Sequence, residues 1–309
     1  MKKLIIITTL FISFLSLNSC LHSNASERKE LIKNENNSNR IVSKETKEYW
    51  YDGNAEISSY KLSQARYGEN HDGTATLIFV TEPFSKASNT KADYPNQNNI
   101  PVLKLNMNKK FNTGFYPYSM MNSTFFPFEK ENTSLKIASS MQEWCGMTYV
   151  DMKNNKDHFS FNFNSYFEGA SFQNKKIEKT ILEDDLWSLI RLNPELLPTG
   201  KLEIIPSLFF LNLKHKPFKS YTGEATLEKT ESTTVYKITY QKINRSLQIN
   251  FESSFPYKIL SWEESHNSGY GKNKKTLTTK ALLMKTIKVD YWNKNSTKDS
   301  IWRNKLDLQ

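Results

Sequence analysis

The chain has 309 residues, 38% hydrophobic and 24% charged, with 42 Lys+Arg against 32 Asp+Glu. The basic excess is nearly all lysine, with arginine only at Arg28, Arg40, Arg66, Arg191, Arg245 and Arg303. Bidentate phosphate recognition leans on the arginine fork, so evenly spread lysine reads as a solvated surface near anionic lipid and excludes a nucleic-acid groove.

Met1-Lys2-Lys3 gives a positive start, and an apolar run from Leu4 to Leu17 leads into Asn18-Ser19-Cys20. That is a secretory signal layout. A run of about 14 residues falls short of the roughly 20 needed to cross a bilayer core, so residues 1–19 are expected to be removed. Leu17-Asn18-Ser19-Cys20 resembles the bacterial lipobox, which implies that Cys20 is lipidated and becomes the new N-terminus; the alternative is an ordinary signal with an incidental cysteine. Several acyl chains anchor stably where one does not. Leu21, with no aspartate in its place, and the absence of acidic residues through Ala25 favour the outer membrane, facing the periplasm rather than the cell surface. Removing Lys2 and Lys3 leaves 40 basic against 32 acidic residues, a mature net charge of +8.

Residues 20–47 are polar and charged around Asn34-Glu35-Asn36-Asn37-Ser38-Asn39. Too little apolar surface is available there to offset ordering, so the stretch is expected to be a disordered tether reaching roughly 30 Å. Residues 48–309 hold no long linker and no internal repeat, and are read as one β-rich domain.

Period-two alternation predicts strands at Thr74–Val80, Val102–Met107, Leu135–Ser140, Trp144–Met152, Phe159–Phe163, Leu202–Leu213 and Ala225–Glu228. Tyr236-Ile238-Tyr240 and Leu247-Ile249-Phe251 carry the clearest patterns, followed by Ile259–Glu264. One short helix is expected near 181–193, with Thr180 and Glu183 at capping-box spacing and Leu182, Leu186, Leu189 and Ile190 on one face. Its acidic trio Glu183-Asp184-Asp185 suits the positive end of that helix. Leu277–Trp292 reads as a long closing strand, although its first part could be helical. The fold class is mainly β: a large curved antiparallel sheet, open-barrel or sandwich-like.

Cys145, in Gln142-Glu143-Trp144-Cys145-Gly146, is the one cysteine left beside Cys20 and the weak candidate for a catalytic nucleophile. No signature places His71, His158, His215 or His266 beside it, and a buried, inert strand cysteine is the expectation. No metal-ligand spacing, phosphate loop, nucleophile elbow or dinucleotide fingerprint occurs, so no metal and no cofactor are expected. Trp50, Tyr51, Arg66, Tyr67 and Trp144, with Phe115-Tyr116-Pro117-Tyr118, form the candidate ligand-binding set, because flat rings with polar tips suit glycan or lipid. An arginine buried among aromatics needs a carboxylate, for which Glu69 or Glu82 is the candidate partner of Arg66.

Trp50-Tyr51-Asp52-Gly53-Asn54-Ala55-Glu56, Gln64-Ala65-Arg66-Tyr67-Gly68-Glu69, Ile78-Phe79-Val80-Thr81-Glu82-Pro83-Phe84, Phe111-Asn112-Thr113-Gly114, Gln142-Glu143-Trp144-Cys145-Gly146 and Leu192-Asn193-Pro194 resemble an uncharacterised group of bacterial envelope lipoproteins often labelled septum formation inhibitor Maf. The pyrophosphatases of that name carry a Ser-x-Ser-Pro-Arg-Arg motif with no counterpart here, so no catalytic residue is carried over. Phe251–Glu264, with Pro256 at its bend, is also similar to the hairpins of periplasmic lipoprotein-carrier folds, in which a curved sheet wraps an apolar cavity. These readings imply a noncatalytic, membrane-anchored envelope protein binding an apolar or amphiphilic ligand or a protein partner. The competing class is an envelope hydrolase acting on lipid or glycan through Cys145 or carboxylates such as Glu143 and Asp185.

Overall fold

A computed structural model describes residues 40, 42–94, 96–129 and 131–308. The signal segment, Cys20 and most of the expected tether lie outside these residues. Every helix and strand described belongs to the compact unit Ile41–Gln309.

Helix α1 (Lys44–Trp50) starts inside the stretch expected to be tether, where the Ser43 hydroxyl accepts from the Thr46 amide at 3.1 Å. Strands β1 (Ala55–Arg66), β2 (Glu69–Ser85), β3 (Thr90–Lys91), β4 (Ile100–Thr113) and β5 (Tyr116–Pro127) follow. Next come β6 (Lys136–Glu143), β7 (Gly146–Asn154), β8 (His158–Ser165), β9 (Phe172–Glu178) and β10 (Ile181–Leu182). After α2 (Leu186–Leu192) the chain forms β11 (Gly200–Ile205), α3 (Leu208–Leu213), β12 (Tyr221–Lys229) and β13 (Thr233–Tyr240). It closes with β14 (Arg245–Glu252), β15 (Ile259–Ser268), β16 (Lys275–Val289) and the short α4 (Ile301–Asn304).

All sixteen strands belong to one sheet, ordered β10 to β16, then β1, β2 and β4 to β9, with β3 added on β2. Every pairing is antiparallel except β10 with β11. The two edges, β9 and β10, are joined through Lys179 and Thr180 alone. Three residue steps span at most roughly 11 Å, so the sheet has to curl until the end of β9 comes close to the start of β10, at one end of a seam. No ladder crosses that seam among the described residues, and the result is an open barrel.

Inward positions alternate as period two requires: Tyr60 and Leu62 on β1, Leu77 and Phe79 on β2, Phe159, Phe161 and Phe163 on β8, and Tyr236, Ile238 and Tyr240 on β13 are all buried. Each such large apolar side chain contributes about 1.5–3 kcal/mol by leaving water. A sheet this wide leaves a lumen that strand side chains alone do not fill. Helices α2 and α3 fill it, and every residue of both is buried.

Several elements differ from the sequence-based expectation. The strand predicted over Leu202–Leu213 ends at Ile205, and Pro206-Ser207 turns the chain into α3. Leu208-Phe209-Phe210-Leu211 is apolar all round, and such a run has no period that separates a buried strand from a buried helix. In the expected helix, residues 183–185 form a 3-10 turn without a side-chain cap, and the Thr180 hydroxyl instead donates to the Glu203 carbonyl. Strands β1, β5 and β9 carry polar or mixed sequences whose alternation is weak and were not expected.

Residues 290–308 lie as a strap on the outer face of the sheet. Trp302, Leu306 and Leu308 pack there against Ala55, Ile57, Ile78, Val80, Ile287 and Val289.

Candidate functional site

A void of about 10 Å³, room for at most one water, lies among Gln64, Lys109, Phe209, Phe210, Glu264 and His266 beside α3. Helices α2 and α3, buried along their whole length, occupy the space within the curved sheet.

Charge is buried there too. Arg245 binds Glu183 through both terminal nitrogens at 2.6 Å and Glu264 through Nε at 2.7 Å. Burial alone would raise Glu264, but Arg245 and Lys109 overcome it and hold the carboxyl down to about 2. Arg191 pairs with Glu56, its Nη2 2.7 Å from Oε2, and Tyr49 donates to the same carboxylate. The acidic trio therefore does not serve its own helix. Glu183 and Asp184 accept from the Ser207 and Leu208 amides at 3.2 and 3.0 Å, satisfying the start of α3, while Asp185 accepts from the Ser134 amide at 3.1 Å. Burial pushes Asp184 up to about 6 and His266 down to about 4. These are positioning contacts within a packed core. Among the described residues no group of three His, Cys, Asp or Glu side chains could hold a metal ion.

The ligand-binding set read from the sequence is divided between the two ends of the barrel. Trp50 is 1% exposed, with the Arg191 guanidinium 5.0 Å over its ring, and belongs to the core. Tyr51 packs on Phe128 at 4.8 Å. Arg66, Tyr67 and Trp144 lie at the far end, separated from Trp50 and Tyr51 by the twelve residues of β1, about 40 Å of strand.

That far end is an aromatic rim built from hairpin turns. Tyr67 (φ 52°) and Gly68 (φ 87°) make a two-residue turn with both residues left-handed, as the twist of paired strands favours. Among the described residues Arg66 forms no ion pair with Glu69 or Glu82, contrary to expectation: Nη1 donates to the Leu213 carbonyl at 2.7 Å and Nη2 to the Tyr118 hydroxyl at 3.1 Å. Glu82 pairs with Lys104 instead, at 3.3 Å. Tyr67 and Tyr118 share a hydroxyl contact at 2.8 Å, and Phe115 meets Trp144 edge-on at 5.0 Å. Tyr166 donates to Glu143 at 2.5 Å and stacks near Phe167, which in turn touches His215. Gly146 is required beneath Tyr166, since a Cβ there would fall 2.5 Å from the ring.

Cys145 sits on the β6–β7 turn of this rim, exposed rather than buried in a strand. The predicted strand Trp144–Met152 begins only at Gly146, so the cysteine falls in the turn. The Glu143 carboxylate accepts from the Cys145 amide at 2.9 Å, and its contact with the thiol raises the thiol pKa. A nucleophilic cysteine needs the opposite shift.

A groove of about 390 Å³ runs between the outer face of the sheet and the strap. Ile57, Ile78, Ile287 and Val289 form its floor, Trp302 and Leu306 one wall, and Lys110, Lys294, Asp299 and Arg303 its polar margin. Sequence reading missed it. The available signal was the apolar residues Tyr291-Trp292, Ile301-Trp302, Leu306 and Leu308 in an otherwise polar tail.

No protein-family model matches the chain, and no curated protein matches it significantly. Among solved structures, a beta-barrel-like protein of a domain of unknown function, DUF1849, from Brucella abortus superposes with a TM-score of 0.45 at 7% identity, over 76% of this chain and 97% of that one. A porin-like protein from Bacteroides uniformis reaches 0.21 at 7% identity, over 74% and 95%. No helix among the described residues is long and apolar enough to cross a membrane.

Proposed function

We propose that this protein is a noncatalytic envelope lipoprotein, anchored through Cys20 and facing the periplasm from the outer membrane, that binds a single-chain amphiphile in the groove beneath its C-terminal strap. The groove carries the reading. Its volume lies in the range of small-ligand sites, its floor is aliphatic, and its margin mixes lysine, arginine and one aspartate, the lining an apolar chain with a polar head requires. The buried helices α2 and α3 occupy space within the curved sheet, which favours the outer groove over an interior ligand. The hydrolase alternative gains nothing from Cys145, whose thiol pKa is raised by its contact with Glu143, or from Asp185, which accepts from a backbone amide.

Displacement of a fluorescent fatty-acid probe from the purified domain tests the groove. Binding lost on Trp302→Ala supports it, and equal binding by the wild type and that variant rejects it. Mass spectrometry of the protein from membranes tests the anchor, which an unmodified residue 20 would exclude.

A further inference from the structure

The rim opposite α1 exposes aromatic surface that the fold does not use. Phe115 is 86% exposed, Tyr270 70% and Trp144 64%, each at the tip of a hairpin turn on the same end of the sheet. Tyr67, Tyr166 and Phe167 stand beside them, about 40% exposed. Free aromatic surface of this extent on turn tips is unfavourable in water and adds nothing to the core. The β1–β2 and β15–β16 turns are in contact, with Gly68 and Gly269 side by side, so Tyr270 joins the same surface.

Cations accompany the rings. Arg66 at the end of β1, Lys214 and Lys216 after α3, and Lys272 and Lys274 on the β15–β16 turn lie at this end, with Glu69, Glu143 and Glu168 among its acids. Arg66 is buried to 7% exposure and hydrogen-bonds only phenolic and carbonyl oxygens, while, against burial, its charge helps to lower the pKa of Glu143 on the same rim. The excess is felt locally: burial and then the neighbouring charges of Arg66 and Lys216 bring Lys214 down to about 8. Rings with polar tips and flanking lysines are the composition that settles at the headgroup level of a bilayer, where the ring meets acyl chains and the cation meets phosphate.

We propose that this rim docks the barrel end-on to a bilayer surface containing anionic lipid, with Phe115, Trp144 and Tyr270 entering the headgroup region. This docking is independent of the groove and of acylation at Cys20. The reporter is already in place, because Cys145 is exposed beside Trp144 and is the one cysteine of the unit 41–309, which contains all three core clusters.

The unit 41–309, labelled at Cys145 with a polarity-sensitive fluorophore, is mixed with vesicles of phosphatidylcholine alone or with added phosphatidylglycerol. The expected result is co-sedimentation and a blue shift with the anionic vesicles, weakened by salt. Phe115→Ala with Trp144→Ala is expected to lower partitioning about tenfold. Thermal melting should stay unchanged, since neither side chain is in the core. Lys272→Glu with Lys274→Glu should abolish the preference for anionic vesicles. The proposal is overturned if the unit binds neither vesicle, if it binds both equally, or if the blue shift appears without lipid as the protein concentration rises, which would make the rim a self-association face.

Discussion

Arg245 and Glu183, 62 residues apart in sequence, meet inside the barrel through two parallel contacts of 2.6 Å, each side chain 1% exposed. The pair ties β14 to the turn that enters α2. Removing one partner leaves the other charge buried and unpaired, at a cost of about 3–5 kcal/mol. Arg245→Met is therefore expected to lower the urea midpoint strongly, and Arg245→Met with Glu183→Gln to recover part of the loss. A midpoint within experimental error of wild type in Arg245→Met would contradict the pairing.

Two buried groups oppose each other in acid. Asp184, raised from 3.8 to about 6, binds its proton more tightly in the folded state, so its contribution is present below about 4 and lost as pH rises to about 6. His266, lowered from 6.5 to about 4, binds its proton less tightly when folded, so its contribution is present above about 6.5 and lost as pH falls to about 4. Each amounts to about 3 kcal/mol, and the two windows overlap. Unfolding free energy should then be nearly flat across that range in the wild type. Asp184→Asn should make it fall on acidification and His266→Gln should make it rise, as read from urea titrations at several pH values.

Cys145 is expected to react fully with a thiol reagent in the native state, because it is exposed on a turn. Glu143→Gln removes the neighbouring carboxylate that raises the thiol pKa and should accelerate the reaction at neutral pH. A cysteine protected until denaturant is added would be incompatible with this placement.

The strap is held by few side chains. Leu306 is 5% exposed against the outer face, and Leu306→Ala should cost about 2–4 kcal/mol of strap stability. Hydrogen exchange would then rise in residues 290–308 while β1 and β2 keep their protection. Uniform loss across the barrel would instead make the strap part of the global core.

Strand content was legible wherever one face is apolar and the other polar. Tyr236-Ile238-Tyr240 and Leu247-Ile249-Phe251 lie in β13 and β14, paired with each other as their patterns imply. The Phe251–Glu264 hairpin was legible for the same reason, since Pro256 interrupts two good strands between Glu252 and Ile259. Legibility failed for β1, where Glu56, Ser58, Gln64 and Arg66 are buried although polar, because their partners come from elsewhere in the chain. The rim was half visible. Arg66, Tyr67 and Trp144 share it, while Trp50 and Tyr51, grouped with them by aromatic chemistry, lie at the other end of β1, because composition does not record where a strand places its two ends.

Side-chain alternation and apolar periodicity are local properties, and they alone determined that this chain forms a broad, mostly antiparallel sheet. Tertiary structure decided what occupies the lumen, that the carboxylates of residues 183–185 serve α3 and the β5–β6 connection rather than their own helix, that Cys145 faces water, and that a groove opens beneath the last nineteen described residues. The reason is physical: each of these depends on partners tens to hundreds of residues away, and no local pattern records which distant backbone amide, guanidinium or strand face will arrive to meet a given side chain.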